Sequence, residues 1–174
     1  MYAPVDSRWL IEQNSRVAED RRQEGQQMRK RLESLVSRWA QGKVTLQEIL
    51  GRTDAESYSV ASQGYLLFLQ GKTETARILF EGCVACDPKN AYYYRALGCI
   101  YLRSGESAKA LKQFTYAIRV APREVSAYIN RAEIYVSAQQ WDKARTDLNQ
   151  AMRLAGRNEG ALVKKARAIM AMLP

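Results

Sequence analysis

The sequence contains no histidine. The commonest general base near neutral pH is therefore missing, and with it the usual nitrogen ligand of zinc. Cysteine is scarce as well: three residues, an odd number that does not build the paired framework of a small secreted domain. Two of them form Cys83-x-x-Cys86. A redox pair of this spacing places its nucleophile at a helix N-terminus, where the dipole lowers the thiol pKa. Cys83 falls instead near the end of an expected helix, so its pattern reads as packing. Three cysteines without histidine also fall short of the four ligands of a structural zinc site. No phosphate-binding loop, nucleophile elbow or distinctive carboxylate pair appears. The expectation is a non-catalytic chain with no cofactor and no metal.

Long apolar runs are lacking too. Stretches such as YLLFL (65–69) stay far below the ~18 residues that cross a bilayer. At the N-terminus the only apolar run is Trp9-Leu10-Ile11, so no signal-peptide core is present. These absences predict a soluble, cytoplasmic protein without membrane insertion. Only four prolines, with 9% aromatic residues, argue against wholesale disorder.

What is present is a 174-residue chain, 47% hydrophobic and 26% charged, with net charge +9. That charge suits an acidic partner, nucleic acid or an anionic surface without choosing among them. Its placement is informative. Residues 1–56 carry ten Lys and Arg against nine Asp and Glu, whereas 57–174 carry seventeen against nine. The basic run RRQEGQQMRKR (21–31) is broken by Glu24, follows Glu19 and Asp20, and lacks interleaved aromatics for stacking on bases. It reads as a solvated helix face, and nucleic acid is not the expected partner.

A period of 34 residues organises the rest. The segment 91–122 reads AYYYRALGCIYLRSGESAKALKQFTYAIRVAP. Tyr94, Leu97, Gly98, Tyr101, Ala110, Phe114, Ala117 and Pro122 fill the slots of the tetratricopeptide pattern. One period back, Gly64, Gly71, Ala76, Phe80 and Pro88 align with Gly98, Gly105, Ala110, Phe114 and Pro122. One period forward stand Tyr128, Ala132, Tyr135, Ala144, Leu148 and Ala151. The expected fold is all-α: a superhelix of three helix-turn-helix units (57–90, 91–124 and 125–158). A capping helix at 159–174 follows, with Leu162, Val163, Ala166, Ile169, Met170 and Leu173 on one face. Ahead of the repeats lie a charged arm (1–31), partly helical or disordered, and a helical segment (32–56). From Met28 onward Leu32, Leu35, Val36 and Trp39 form an apolar stripe, and further on Thr45 with Glu48 fits a capping box.

This order of elements, with Gly42, Thr45 and Leu46 as G-x-x-T-L before three repeats and a closing helix, resembles the class II tetratricopeptide chaperones of bacterial type III secretion. The resemblance spans Leu32 to the C-terminus. It implies a cupped helical chaperone, often dimeric through its N-terminal region. Such a chaperone keeps hydrophobic translocator proteins soluble in the bacterial cytoplasm by holding an extended segment in a concave groove.

Helical angles suggest which residues line that groove. With Tyr94 facing its partner helix, Leu97, Gly98 and Tyr101 fall within ~60° of it and form the core face. Tyr128 and Tyr135 take the same core slots one repeat on. Tyr92, Arg95, Cys99, Leu102 and Arg103 fall on the face ~80–180° away, expected to line the concave surface. The first unit offers Tyr58, Tyr65, Phe68 and Leu69 there, and the third Ile129, Glu133 and Val136; Asn130 is a further candidate, placed to grip a peptide backbone. Tyr93 points to neither face and is expected to wedge against the preceding unit. The competing reading for the aromatics is that the N-terminal helix or a second copy covers them; Arg95 and Arg103 fit either a peptide contact or a solvated rim. The stripe Leu32, Leu35, Val36 and Trp39 is the homodimer candidate, with packing on the first repeat as the alternative. The rival function is an adaptor for an acidic partner segment. A carboxylate clamp needs Lys and Asn at inner positions that here hold Ala61, Tyr65 and Cys99, which disfavours that subtype.

Overall fold

The structure is a computed structural model that describes residues 7–156 and 160–174, with side chains from Arg16 onward. The described residues form nine helices and no strand. They divide into two compact units, Met1–Gly51 and Arg52–Pro174.

The first unit holds α1 (Ser7–Ala40) and α2 (Leu46–Ile49). The charged run and the apolar stripe belong to one helix, so the division expected at residue 31 falls inside α1. No glycine or proline between residues 26 and 40 interrupts it. The Thr45–Glu48 capping box is present. Thr45 Oγ1 accepts from the Glu48 amide at 3.2 Å, and the Glu48 carboxylate accepts from the Thr45 amide at 2.6 Å.

The second unit is three helical hairpins and a cap. They are α3 (Asp54–Leu69) with α4 (Thr73–Cys86), α5 (Ala91–Arg103) with α6 (Ser107–Val120), α7 (Val125–Ser137) with α8 (Trp141–Ala155), and α9 (Ala161–Ala171). Each hairpin packs on the next, and α9 closes on α7 and α8. The start expected for the cap, residue 159, lies outside the described residues. A second capping box, Thr53 with Glu56, opens α3. Its T-x-x-E signature was equally readable in the sequence.

Small residues set the hairpin spacing. The Phe80 ring lies against Gly64, where an added Cβ would come within 3.0 Å of Cε2. At Gly98 the approach is closer still, and any Cβ would overlap the Phe114 ring. The third hairpin tolerates Ala132 because Leu148 replaces the ring; both are fully buried. Phe80, Phe114 and Leu148 thus anchor the three layers of core.

Candidate functional site

Helices α3, α5, α7 and α9 are joined in sequence by polar contacts. Arg103 of α5 donates to the Phe68 carbonyl of α3 at 2.5 Å, with its guanidinium 4.6 Å from the Phe68 ring centroid. Asn130 of α7 donates to Cys99 Sγ of α5 at 3.7 Å. Lys165 of α9 pairs with Glu133 of α7 at 2.8 Å. Five of these six residues were groove candidates in the sequence: helical angles gave Phe68, Cys99, Arg103 and Glu133, and Asn130 was a candidate for gripping a peptide backbone. Lys165 was not, because the cap has no counterpart in the repeat pattern.

Between the first two hairpins lies a cavity of about 270 Å³. Tyr65 and Phe68 enter it from α3, Phe80 from α4, and Tyr92, Arg95, Ala96, Cys99 and Ile100 from α5. Its walls are aromatic and aliphatic, with phenol hydroxyls, one thiol and one guanidinium as polar groups. The Tyr92 ring meets Phe80 edge-on at 6.0 Å. Burial pushes the Tyr92 hydroxyl and the Cys99 thiol above their ordinary pKa ranges, so both stay protonated at neutral pH.

Arg95 is the distinctive polar group. Its guanidinium lies 5.2 Å from the Tyr92 ring centroid. The Nε atom is buried and has no hydrogen-bond partner among the described residues. Glu124 Oε1 forms an ion pair with it at 3.5 Å, outside hydrogen-bond geometry, and that oxygen also accepts the Ser126 hydroxyl.

The remaining candidates divide. Tyr58 (73% exposed), Tyr65 and Leu69 are solvent-facing, whereas Leu102, Asn130, Glu133 and Val136 are half-buried. Ile129 is a correction: it is fully buried in one cluster with Ala166 and Ile169 of α9 and offers no surface to a ligand. The helical wheel of a single hairpin leaves out the helix that follows. Tyr94 and Tyr135 are also less buried than their core slots suggested. The Tyr94 hydroxyl donates to the Pro88 carbonyl at 3.1 Å, which holds the ring at the core edge. Tyr93, by contrast, is buried in the cluster that holds Phe80 and Cys83. Phe80, Ala96 and Ile100 were missed as pocket residues because each also serves the core. On α1, Leu32 (44%), Val36 (52%) and Trp39 (50%) are exposed and Leu35 is half-buried.

The geometry defines an array of tetratricopeptide repeats, and residues 95–168 match the tetratricopeptide repeat family model. No curated protein sequence matches the chain. The type III secretion translocator chaperone SycD of Yersinia enterocolitica superposes with a TM-score of 0.72 at 16% identity, covering 75% of this chain and 98% of SycD. PcrH, a Pseudomonas aeruginosa protein solved with the chaperone-binding region of PopD, gives 0.64 at 22% identity, covering 70% and 92%. The first repeat domain of Spaghetti (RPAP3), bound to the HSP90 peptide SRMEEVD, gives 0.61 at 19%, covering 68% and 90%. The fold is therefore the one shared by these translocator chaperones, and also by peptide-binding repeat domains outside secretion.

Proposed function

We propose that the protein is a non-catalytic chaperone of a type III secretion system. It holds a hydrophobic translocator in the bacterial cytoplasm by binding an extended segment along α3 and α5. The observation that carries this reading is the open apolar cavity between the first two hairpins, on a fold shared with SycD and PcrH. Aromatic walls with hydroxyl groups suit an extended apolar peptide. Each apolar anchor supplies about 1.5–3 kcal/mol, and ordering the peptide offsets much of the sum. Micromolar affinity follows, which suits a client that must be released.

No described helix is long and apolar enough to cross a membrane, which agrees with a client-holding role away from the bilayer. The exposed α1 stripe supports a homodimer in the same reading. A light-scattering mass equal to one chain at high concentration would rule that out. The function itself is tested by co-expression with translocators encoded beside the gene. A soluble, co-purifying complex is expected, and a translocator that stays insoluble with or without the protein overturns the proposal. The adaptor reading draws on the net charge and the Spaghetti–peptide likeness. An acidic segment free of apolar residues that binds as tightly as a translocator segment would favour it.

A further inference from the structure

We propose that the pocket selects for an acidic side chain next to its apolar anchor, with Arg95 receiving the carboxylate. This rests on the groove reading above. Arg95 is itself a wall of the cavity, so its ligand group must lie close to the anchor. An extended chain advances about 3.3 Å per residue, which places the acid within about two residues of the apolar side chain.

Three observations single out Arg95. Its Nε is buried and makes no hydrogen bond, while the side chain as a whole is 31% exposed. Its nearest carboxylate, Glu124, sits at 3.5 Å and shares the same oxygen with Ser126. The other charged groups along this face have closer partners. Glu133 is held by Lys165, and Arg103 donates to the Phe68 carbonyl while covering the Phe68 ring. The Tyr92 ring beneath the Arg95 guanidinium limits its motion, so its planar fork is presented in advance. A carboxylate matches that fork better than a neutral carbonyl does, because two charge-assisted bonds form in parallel. The basic excess of residues 57–174 attracts such a segment from a distance.

The test selects binders to the full-length protein from a random displayed-peptide library. One selected peptide is then synthesised with its acid as Glu and as Gln. Selected sequences should place Asp or Glu within two residues of an apolar anchor. The Glu form should bind about tenfold more tightly than the Gln form, the scale of a charge-assisted hydrogen bond. With Arg95→Gln, whose helicity is checked by circular dichroism, the Glu and Gln forms should bind alike. Apolar sequences without acidic enrichment overturn the inference while sparing the groove. So do equal Glu and Gln affinities on the unmodified protein, which involve no variant, or a Glu preference that survives Arg95→Gln. Failure to select any peptide, or binding indifferent to Tyr65→Ala with Phe68→Ala, strikes the groove reading itself and takes the inference with it.

Discussion

The Arg131 guanidinium grips the Asp147 carboxylate through two bonds, Nε to Oδ2 at 2.7 Å and Nη2 to Oδ1 at 2.8 Å. Its third nitrogen donates to Thr115 Oγ1 at 3.2 Å, so one side chain of α7 ties α8 and α6 together. Asp147 is only 4% exposed. The Asp147 hydrogen bond raises the pKa of Arg131 against the opposing effect of burial, so the guanidinium stays charged. Asp147→Ala leaves a partly buried cation unpaired and should destabilise the protein by about 3 kcal/mol. Replacing both residues by leucine should cost less, since no lone charge remains. Urea unfolding of the two variants decides it. A double variant less stable than the single would show that the pair contributes more than its desolvation costs.

Gly98→Ala tests the closest approach in the core. Alanine favours the helix by about 1 kcal/mol. Its Cβ nevertheless overlaps the Phe114 ring, and overpacking of this kind costs about 1–3 kcal/mol. The net effect should be a lower melting temperature. Adding Phe114→Leu should recover much of the loss, because the third hairpin already uses the pair Ala132 and Leu148. Thermal melts in which the second change deepens the loss would contradict this account of hairpin spacing.

The turns inside the hairpins make a separate prediction. Gly71 and Gly105 have φ of 79° and 76°, and the equivalent residue one repeat on is Gln139 at φ 55°. This left-handed conformation is easy for glycine and strained for glutamine. Gln139→Gly should therefore stabilise the chain by about 0.5–1 kcal/mol, the relief of strain exceeding the added entropy of the unfolded state. Denaturant midpoints check it, and an unchanged or lower midpoint would count against strain at this turn.

That turn also shows what the sequence conveyed and what it did not. The period was legible because its contacts recur: glycine against the Phe80 and Phe114 rings inside the first two hairpins, and the Tyr94 and Tyr128 hydroxyls on the Pro88 and Pro122 carbonyls between units. Gln139 and Ile129 were not, for different reasons. A glutamine does not advertise a left-handed backbone, so only alignment with Gly71 and Gly105 reveals it. Ile129 is covered by α9, and a helical wheel drawn for one hairpin contains no α9. Tyr92, Cys99 and Arg103 were assigned to the groove face by helical angle, which the repeat supplies. Lys165 and the spare donor of Arg95 depend on single, non-repeating contacts, which periodicity cannot supply.

Cys99 reports on the pocket through its thiol. Burial pushes the pKas of Cys99 and Cys83 upward. Both folded values lie above the unfolded value of about 8.5. The resulting stability is complete below about pH 8.5 and declines as pH rises through the folded values. Alkylation of Cys99 by iodoacetamide, followed by mass spectrometry, should be slow at pH 7.5 and accelerate well into the alkaline range. A bound translocator segment should slow it several-fold further by covering the cavity. Equal rates with and without the segment would place the binding surface elsewhere.

Tyr65→Ala with Phe68→Ala removes two walls of the same cavity. Tyr65 is 49% exposed and Phe68 half-buried, so neither anchors the hairpin core, which rests on Phe80 and Phe114. The fold should survive with a modest loss of stability. Binding should not: each apolar wall contributes about 1.5–3 kcal/mol to a buried anchor, so the pair should weaken a translocator segment at least a hundredfold. Phe68→Ala also removes the ring beneath Arg103, leaving the bond to the carbonyl of residue 68 as its tie to α3. The single variants therefore separate the two contributions, with Tyr65→Ala losing apolar contact alone. Calorimetric titration alongside circular dichroism distinguishes lost affinity from lost structure. A folded double variant that binds the segment as tightly as the unmodified protein would remove the pocket from the binding surface.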